Sequence, residues 1–284
     1  MKIGYTTMNT PADLEARVLG PLLESLGYDS LWIGEHSHIP VSRETPYPTG
    51  GDLPWQYTTM MDPFISLAQA AEHTNSLLLG LGVALPLEHD LFVLAKQVAT
   101  LDLTTNGRVQ FGVGVGWNRE ELANHRPVPW SMRYRALAEC VSALRSLWVD
   151  DQSEFHGQYF DFDKVWCLPK PAQSPHPPIW CGTGGKLGTQ HAIAWSDGWM
   201  PLDVALGDVP RRVNKFRQLV AAAERPPIPI SLVAFGDPSY DTLCAYRDLG
   251  IERVILGSGR EGWEEPAGVP AFIEKYAGMI DRLR

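Results

Sequence analysis

The stretch LLLGLGVALPLEHDLFVLAKQVATLDLTTNGRVQFGVGVGW, residues 77–117, decides the fold. It begins and ends with near-continuous apolar runs, 77–86 and 109–117, and each reads as a strand buried on both faces. Between them DLFVLAKQVATLDLT carries apolar residues at helical spacing, with Asp90 placed to cap the helix and Gly107 placed to end it. Strand, helix and strand in this order form a parallel unit. In the second run the period-two pleat sends Gln110, Gly112, Gly114 and Gly116 to one face, and Phe111, Val113, Val115 and Trp117 to the other. A dinucleotide fingerprint needs G-x-G-x-x-G at a first strand-to-helix turn; here the spacing is G-x-G-x-G in a fourth strand, and that reading is rejected. Gly112 and Gly114 lie deeper and relieve crowding inside a barrel. Gly116, Trp117 and Asn118 stand at the strand's C-terminal end, where packing and ligand contact are both open.

The same unit repeats outward. Apolar runs at 2–7, 30–37, 77–86, 109–117, 178–183, 197–203, 229–235 and 253–259 number eight, with helical segments between them. That alternation predicts an α/β chain folded as a (β/α)8 TIM barrel, a single domain over residues 1–284 with loop insertions at its C-terminal face. Asp62 before Pro63, and Gly27 and Gly250, fall where helices start and stop. The long connections 38–61 and 118–132 follow strands, so they lie on the catalytic face and are expected to be substrate lids. The segment 151–177 follows a helix and precedes a strand, which places it on the opposite face with a structural or interfacial role.

A formal net charge of −9 disfavours nucleic acid and anionic membranes as partners and points to a small-molecule substrate. Cys140, Cys167, Cys181 and Cys244 have neither zinc nor disulfide spacing. The N-terminal MKIGYTTMNT lacks the apolar run of a signal peptide, and no segment reads as a membrane span, so a soluble cytoplasmic protein is expected.

Two places carry chemistry. In PIWCGTGGK, residues 178–186, a strand ends in Gly182, Thr183, Gly184 and Gly185, and a helix begins at Lys186. Glycines free backbone N–H groups to face an anion, the helix start adds partial positive charge, and Thr183 and Lys186 are further donors. A site after the fifth strand departs from the usual phosphate position after strands seven and eight. His36 and His38 end the second strand with the H-x-H spacing of barrel metallohydrolases, but later strand ends supply no His and Asp203 alone is insufficient, so no metal site is expected. His36 is left as a hydrogen-bonding or proton-transfer group. No G-x-S-x-G elbow supports nucleophilic catalysis. Trp32, Trp55, Trp117, Trp180 and Trp199 can line an aromatic pocket, with core packing the default for each. The first lid adds Arg43 and Tyr47, compatible with an apolar substrate bearing one anionic group.

Taken together, SLWIGEHSHIP (30–40), the stretch from 77 through NREEL at 122, FHGQYFDFD (155–163), PKPAQSPHPPIWCGTGG (169–185) and SDGWMPL (196–202) resemble the luciferase-like monooxygenase superfamily, and within it the short F420-dependent oxidoreductases. The resemblance implies a barrel that holds coenzyme F420, or reduced FMN in related branches, over the strand ends. It implies that His36 lies near the reactive ring and that Gly82-Val83 is a cis peptide forming a bulge behind it. Gly116, Trp117 and Asn118 would line the ring and ribityl chain, and Gly182 to Gly185 the phosphate. Sugar-phosphate dehydrogenases of the superfamily carry a Glu where this chain has Trp117, so that acid role is not carried over. The implied activity is hydride exchange between F420 and a small organic substrate beneath the two lids, with His36 catalytic. The alternatives are an FMN-dependent monooxygenase using O2 and reduced flavin from a partner reductase, a non-catalytic deazaflavin- or flavin-binding protein, and, third, a metal hydrolase. A homodimer through the outer helices is also implied.

Overall fold

Each of the eight apolar runs contains a barrel strand: β1 Lys2–Thr7, β2 Ser30–Ile33, β3 Leu78–Ala84, β4 Val109–Val113, β7 Ile179–Cys181, β8 Gly198–Trp199, β9 Ser231–Phe235 and β10 Arg253–Gly257. A hairpin, β5 Ser153–His156 and β6 Asp161–Val165, falls between the fourth and fifth of them. The computed structural model describes residues 1–126, 128–235 and 237–284; residue 127, inside the expected lid 118–132, lies outside the described residues. The barrel strands are parallel and lie in the order β8-β7-β4-β3-β2-β1-β10-β9. Parallel bridges Trp199–Ile230 and Leu202–Val233 join the two ends and all but close the ring. The chain is a (β/α)8 barrel.

The outer ring contains α1 Ala16–Ser25, α2 Pro63–Glu72, α3 Leu91–Thr104, α5 Arg133–Val149, α6 Lys186–Trp195, α8 Val209–Ala222, α9 Tyr240–Asp248 and α11 Val269–Leu283. Shorter helices α4 Arg119–His125, α7 Asp203–Leu206 and α10 Gly259–Glu264 follow strands and build the C-terminal face. Asp62 caps α2 by accepting from the Ile65 N–H, and Asp90 caps α3 by accepting from Phe92 and Val93. Gly107 ends α3 at φ 84°, a left-handed conformation that costs a glycine little. No helix among the described residues is long and apolar enough to cross a membrane.

The lumen is packed solid. Trp32 and Trp180 meet edge to face at 6.4 Å, with Met200, Val233 and Ile255 around them. Glycines make that room: a Cβ on Gly80 would stand 2.2 Å from the Trp32 ring, and one on Gly198 2.2 Å from that of Trp180. Arg253, only 1% exposed, lies over both indoles at 5.7 and 5.6 Å and is held by Asp29 at 2.8 Å and Ser231 at 3.1 Å. A buried guanidinium needs such partners to offset its desolvation. Trp32 and Trp180 are therefore core, as is Trp199, stacked on Phe216 at 4.1 Å.

The segment 151–177 is in part the rear-face connection expected, since Lys170 donates to the Leu147 and Asp150 carbonyls at the end of α5 and Gln173 to Asp102 near the end of α3, but its hairpin departs from that face. Its hairpin lies against the helical wall: the Tyr159 and Phe160 N–H groups donate to Glu139 of α5, and Phe162 packs on Phe92 at the start of α3. Arg126, just past α4, covers the Phe160 ring at 4.8 Å. Because α3 and α4 begin at the C-terminal face, the hairpin reaches that face from outside.

Candidate active site

The ladder of β4 stops at Val113, and Gly114 to Trp117 carry the chain across the barrel mouth, with Gly116 at φ 69°. Trp117 thereby meets His36 from the loop after β2. The indole Nε1–H donates to His36 Nε2 at 3.0 Å, while His36 Nδ1 lies 2.7 Å from Glu121 Oε2 of α4. Indole N–H is only a donor, so Nε2 is an acceptor and the ring proton resides on Nδ1, donated to Glu121. The hydrogen bonds themselves fix the tautomer.

Tyr57, from a 3-10 turn at Trp55–Thr59 in the first lid, completes an aromatic wall. Its ring packs on His36 at 5.4 Å, on Tyr47 at 5.5 Å and on Trp117 at 6.2 Å. Trp263 of α10 lies 6.2 Å from Tyr57 and 5.7 Å from Phe235. Burial first, and the neighbouring Tyr47 second, push the Tyr57 hydroxyl above its ordinary range. Arg43 lies over Trp117 at 5.7 Å with Nη1 buried and without a partner. Trp55 is 73% exposed and contributes no wall.

On the other side of the mouth the Gly82-Val83 peptide is cis, and the β3–β4 register shifts between Leu81 and Ala84. Val83 is wedged between two glycines: a Cβ on Gly114 would stand 2.7 Å from its Cγ2, and one on Gly182 2.2 Å from its Cγ1. Gly182 thus seats Val83, which the sequence reading did not foresee. Thr183 is also turned away from the mouth, its hydroxyl 3.3 Å from Cys181 Sγ and its carbonyl accepting from Trp199 at 2.7 Å. Gly185 remains open, a Cβ there meeting nothing within 4 Å, whereas Gly184 packs beside Ala205 and Leu206 and its carbonyl accepts from Arg212 at 2.7 Å. Helix α6 starts there with no side-chain cap, beside the exposed Lys186. Its first N–H groups are free to face an anion. Asn118, expected along the ring, caps α4 through Oδ1, accepting from the Glu120 and Glu121 N–H groups, while its Nδ2 has no partner among the described residues.

A layer of ionisable groups beneath Trp117 was missed. Glu35 accepts from the Leu85 N–H at 2.7 Å and pairs with His89 at 2.6 Å. Burial lowers the proton affinity of His89, but the hydrogen bond and charge of Glu35 outweigh it and raise it overall. Glu88 lies below Gly116, where burial first, then Glu121 and Glu35, lift its carboxyl well above the usual range. The available signal was the Glu-His dipeptide, present at 35–36 and again at 88–89 just past strand ends. Among the described residues no three His, Cys, Asp or Glu side chains form a group able to hold a metal ion.

A barrel with a tautomer-fixed histidine at its second strand end and an open, uncapped helix after its fifth fits a phosphate-bearing redox cofactor. A family model described as luciferase-like monooxygenase matches residues 5–242, and the chain belongs to that family. An uncharacterised protein of Mycobacterium tuberculosis is 35% identical over 289 residues, covering 99% of each chain. An F420-dependent glucose-6-phosphate dehydrogenase of Amycolatopsis mediterranei is 30% identical over 206 residues, 70% of this chain and 57% of that one. An FMNH2-dependent dimethylsulfone monooxygenase of Pseudomonas putida is 33% identical over 133 residues, 45% of this chain and 36% of its own. A solved F420-dependent secondary alcohol dehydrogenase shares the fold, with a TM-score of 0.75 and 18% identity over 100% of this chain and 99% of that one. Relatives thus include F420- and FMN-dependent oxidoreductases.

Proposed function

We propose that this chain is an F420-dependent oxidoreductase moving a hydride between the deazaflavin and a small organic substrate. The observation that carries this reading is His36 with Nε2 as acceptor at the barrel mouth, two residues from Gly34, where an added Cβ would stand 3.4 Å from the Gly82 carbonyl of the bulge. The relative named for F420 aligns over 70% of this chain, against 45% for the one named for FMN. The residues fit such a cofactor: Gly184, Gly185 and the α6 start would hold its phosphate, and Val83, Gly116 and Trp117 would bound its ring. When bound, the deazaflavin supplies a two-electron hydride acceptor or donor. A substrate that gives up a hydride also releases a proton, and His36 Nε2 takes it once the Trp117 indole moves aside. Glu121 orients the imidazole for that step, and Tyr47, Tyr57 and Trp263 exclude water. In the reducing direction the proton returns from the same nitrogen. A homodimer through the outer helices belongs to this reading and is tested by light scattering.

The match to the dimethylsulfone monooxygenase favours a second reading, in which a partner reductase supplies reduced FMN and O2 is the co-substrate. One assay separates the two. Purified protein is given F420 with a panel of small alcohols and carbonyl compounds, and separately reduced FMN with O2 and the same panel. Substrate-dependent change in the deazaflavin absorbance supports the first reading; product formed only with reduced FMN and O2 overturns it.

A further inference from the structure

Two buried carboxyl oxygens beneath Trp117 have no hydrogen-bond donor among the described residues: Glu88 Oε2 and Glu121 Oε1. The Glu88 and Glu121 side chains are 3% and 1% exposed, so bulk solvent does not reach them. Both carboxyls sit where α4 meets the turn Pro86–Glu88: Glu88 Oε2 lies 3.9 Å from His125, one helical turn beyond Glu121, and Glu121 bears on Glu88 by charge and by hydrogen bond. Two carboxylates in such contact repel, whereas one proton between them satisfies both orphaned oxygens and leaves a single charge.

Every other charged or titratable group around the pair is engaged elsewhere. Glu35 is committed to His89 and the Leu85 N–H. His125 Nε2 lies 3.9 Å from Glu88 Oε2, too far for a hydrogen bond, and is 2.7 Å from Ser37 Oγ. Burial first, then the charge of His38, depress the proton affinity of His125, so it supplies no cation to Glu88. His38 is bound to Ser37 and Asn124, and Arg126 donates to the Leu87 and His89 carbonyls. Among the side chains of the described residues only His36 donates to the pair, through Nδ1 to Glu121 Oε2.

We propose that Glu88 and Glu121 share one proton and that this singly charged pair is the positioning device for His36, with Glu88 acting through Glu121. The anionic oxygen facing Nδ1 keeps the ring proton there, so that Nε2 stays an acceptor toward the pocket. The consequence for turnover rests on the proposed function; the shared proton and the tautomer do not.

The test uses the cofactor-free protein, so its failure is separable from that of the cofactor assignment. In the wild type at pH 7 a protonated-carboxyl C=O band is expected in the infrared spectrum, and Glu88→Gln, the neutral isostere, removes it while preserving the fold. Nitrogen NMR of His36 should show the Nδ1–H tautomer in the wild type and in Glu88→Gln, whose amide still donates to Glu121. In a Trp117→Phe background, where no indole donates to Nε2, Glu121→Gln should shift the tautomer ratio toward Nε2–H by about tenfold or more, because a charge-assisted acceptor is lost. A wild type with no such band at pH 7, or with a band that survives Glu88→Gln, overturns the shared proton. A tautomer ratio in Trp117→Phe/Glu121→Gln equal to that of Trp117→Phe overturns the positioning role. If Glu121→Gln does not fold, the infrared band decides alone. A merely structural pair would move neither signature.

Discussion

His36 makes one hydrogen bond from each ring nitrogen, and the two are chemically unequal: Glu121 accepts at Nδ1, while the Trp117 indole can only donate to Nε2. A ring pinned this way is poised to take a proton on the pocket side alone. Replacing His36→Ala should lower turnover by roughly 10²–10⁴-fold, the usual worth of a positioned acid-base group, while cofactor affinity falls only modestly. Steady-state kinetics beside a binding titration check this; equal loss of both would make His36 a binding residue. The place of His36 followed from sequence because a histidine just past a barrel strand can face only the mouth. Glu121 and Glu88 were not readable, because their burial depends on α4 folding back over the turn after β3, and no local pattern encodes that contact. Thr183 misled for the converse reason. Its hydroxyl is a donor by type, yet the loop turns it onto Cys181.

At the scale of elements, the glycines just past β4 and β7 answer to the side chains of neighbouring strands. Gly182 looked like part of an anion loop, but Val83 fills the space beside it. Gly182→Ala would place a Cβ 2.2 Å from Val83 Cγ1, and the displaced bulge should destabilise the protein by ~1–3 kcal/mol, as overpacking does. Denaturant unfolding measures this, and F420 affinity should fall with it; Gly185→Ala, in open space, should leave stability nearly unchanged. A second element-scale device joins α1 to the turn before β3. Glu24 accepts from the Asn75, Ser76 and Leu77 N–H groups and from the Ser76 hydroxyl. Burial works to raise its carboxyl, but these donors prevail and hold it at about 2, below its ordinary 4.5. A depressed folded-state value means stability that is present above pH 4.5 and lost as pH falls toward 2. Thermal unfolding should therefore show Glu24→Gln less stable than wild type at neutral pH, with the gap closing through that window; a pH-independent gap would contradict the assignment.

Across the whole molecule, the barrel was legible because parallel strands buried on both faces must be near-continuously apolar, and eight such runs separated by helical segments leave little else to build. The hairpin at 153–165 escaped this logic: its alternating charged residues carry no strand signal without the α3 and α5 surfaces it packs on. The mouth was legible in outline only. Its first lid was anticipated, but Trp263 arrives from the tenth strand's loop, where the sequence offered no length cue. On the proposed reading the mouth is a cofactor seat with a solid tryptophan floor, a valine bulge on one side, a fixed histidine on the other, and an uncapped helix start for an anion. The most direct test of that seat is a parallel titration of the purified protein with F420 and FMN, each oxidised and reduced, read by fluorescence or calorimetry. The account predicts F420 binding at least about tenfold tighter than FMN, roughly 1.4 kcal/mol or more; preference for reduced FMN would contradict it.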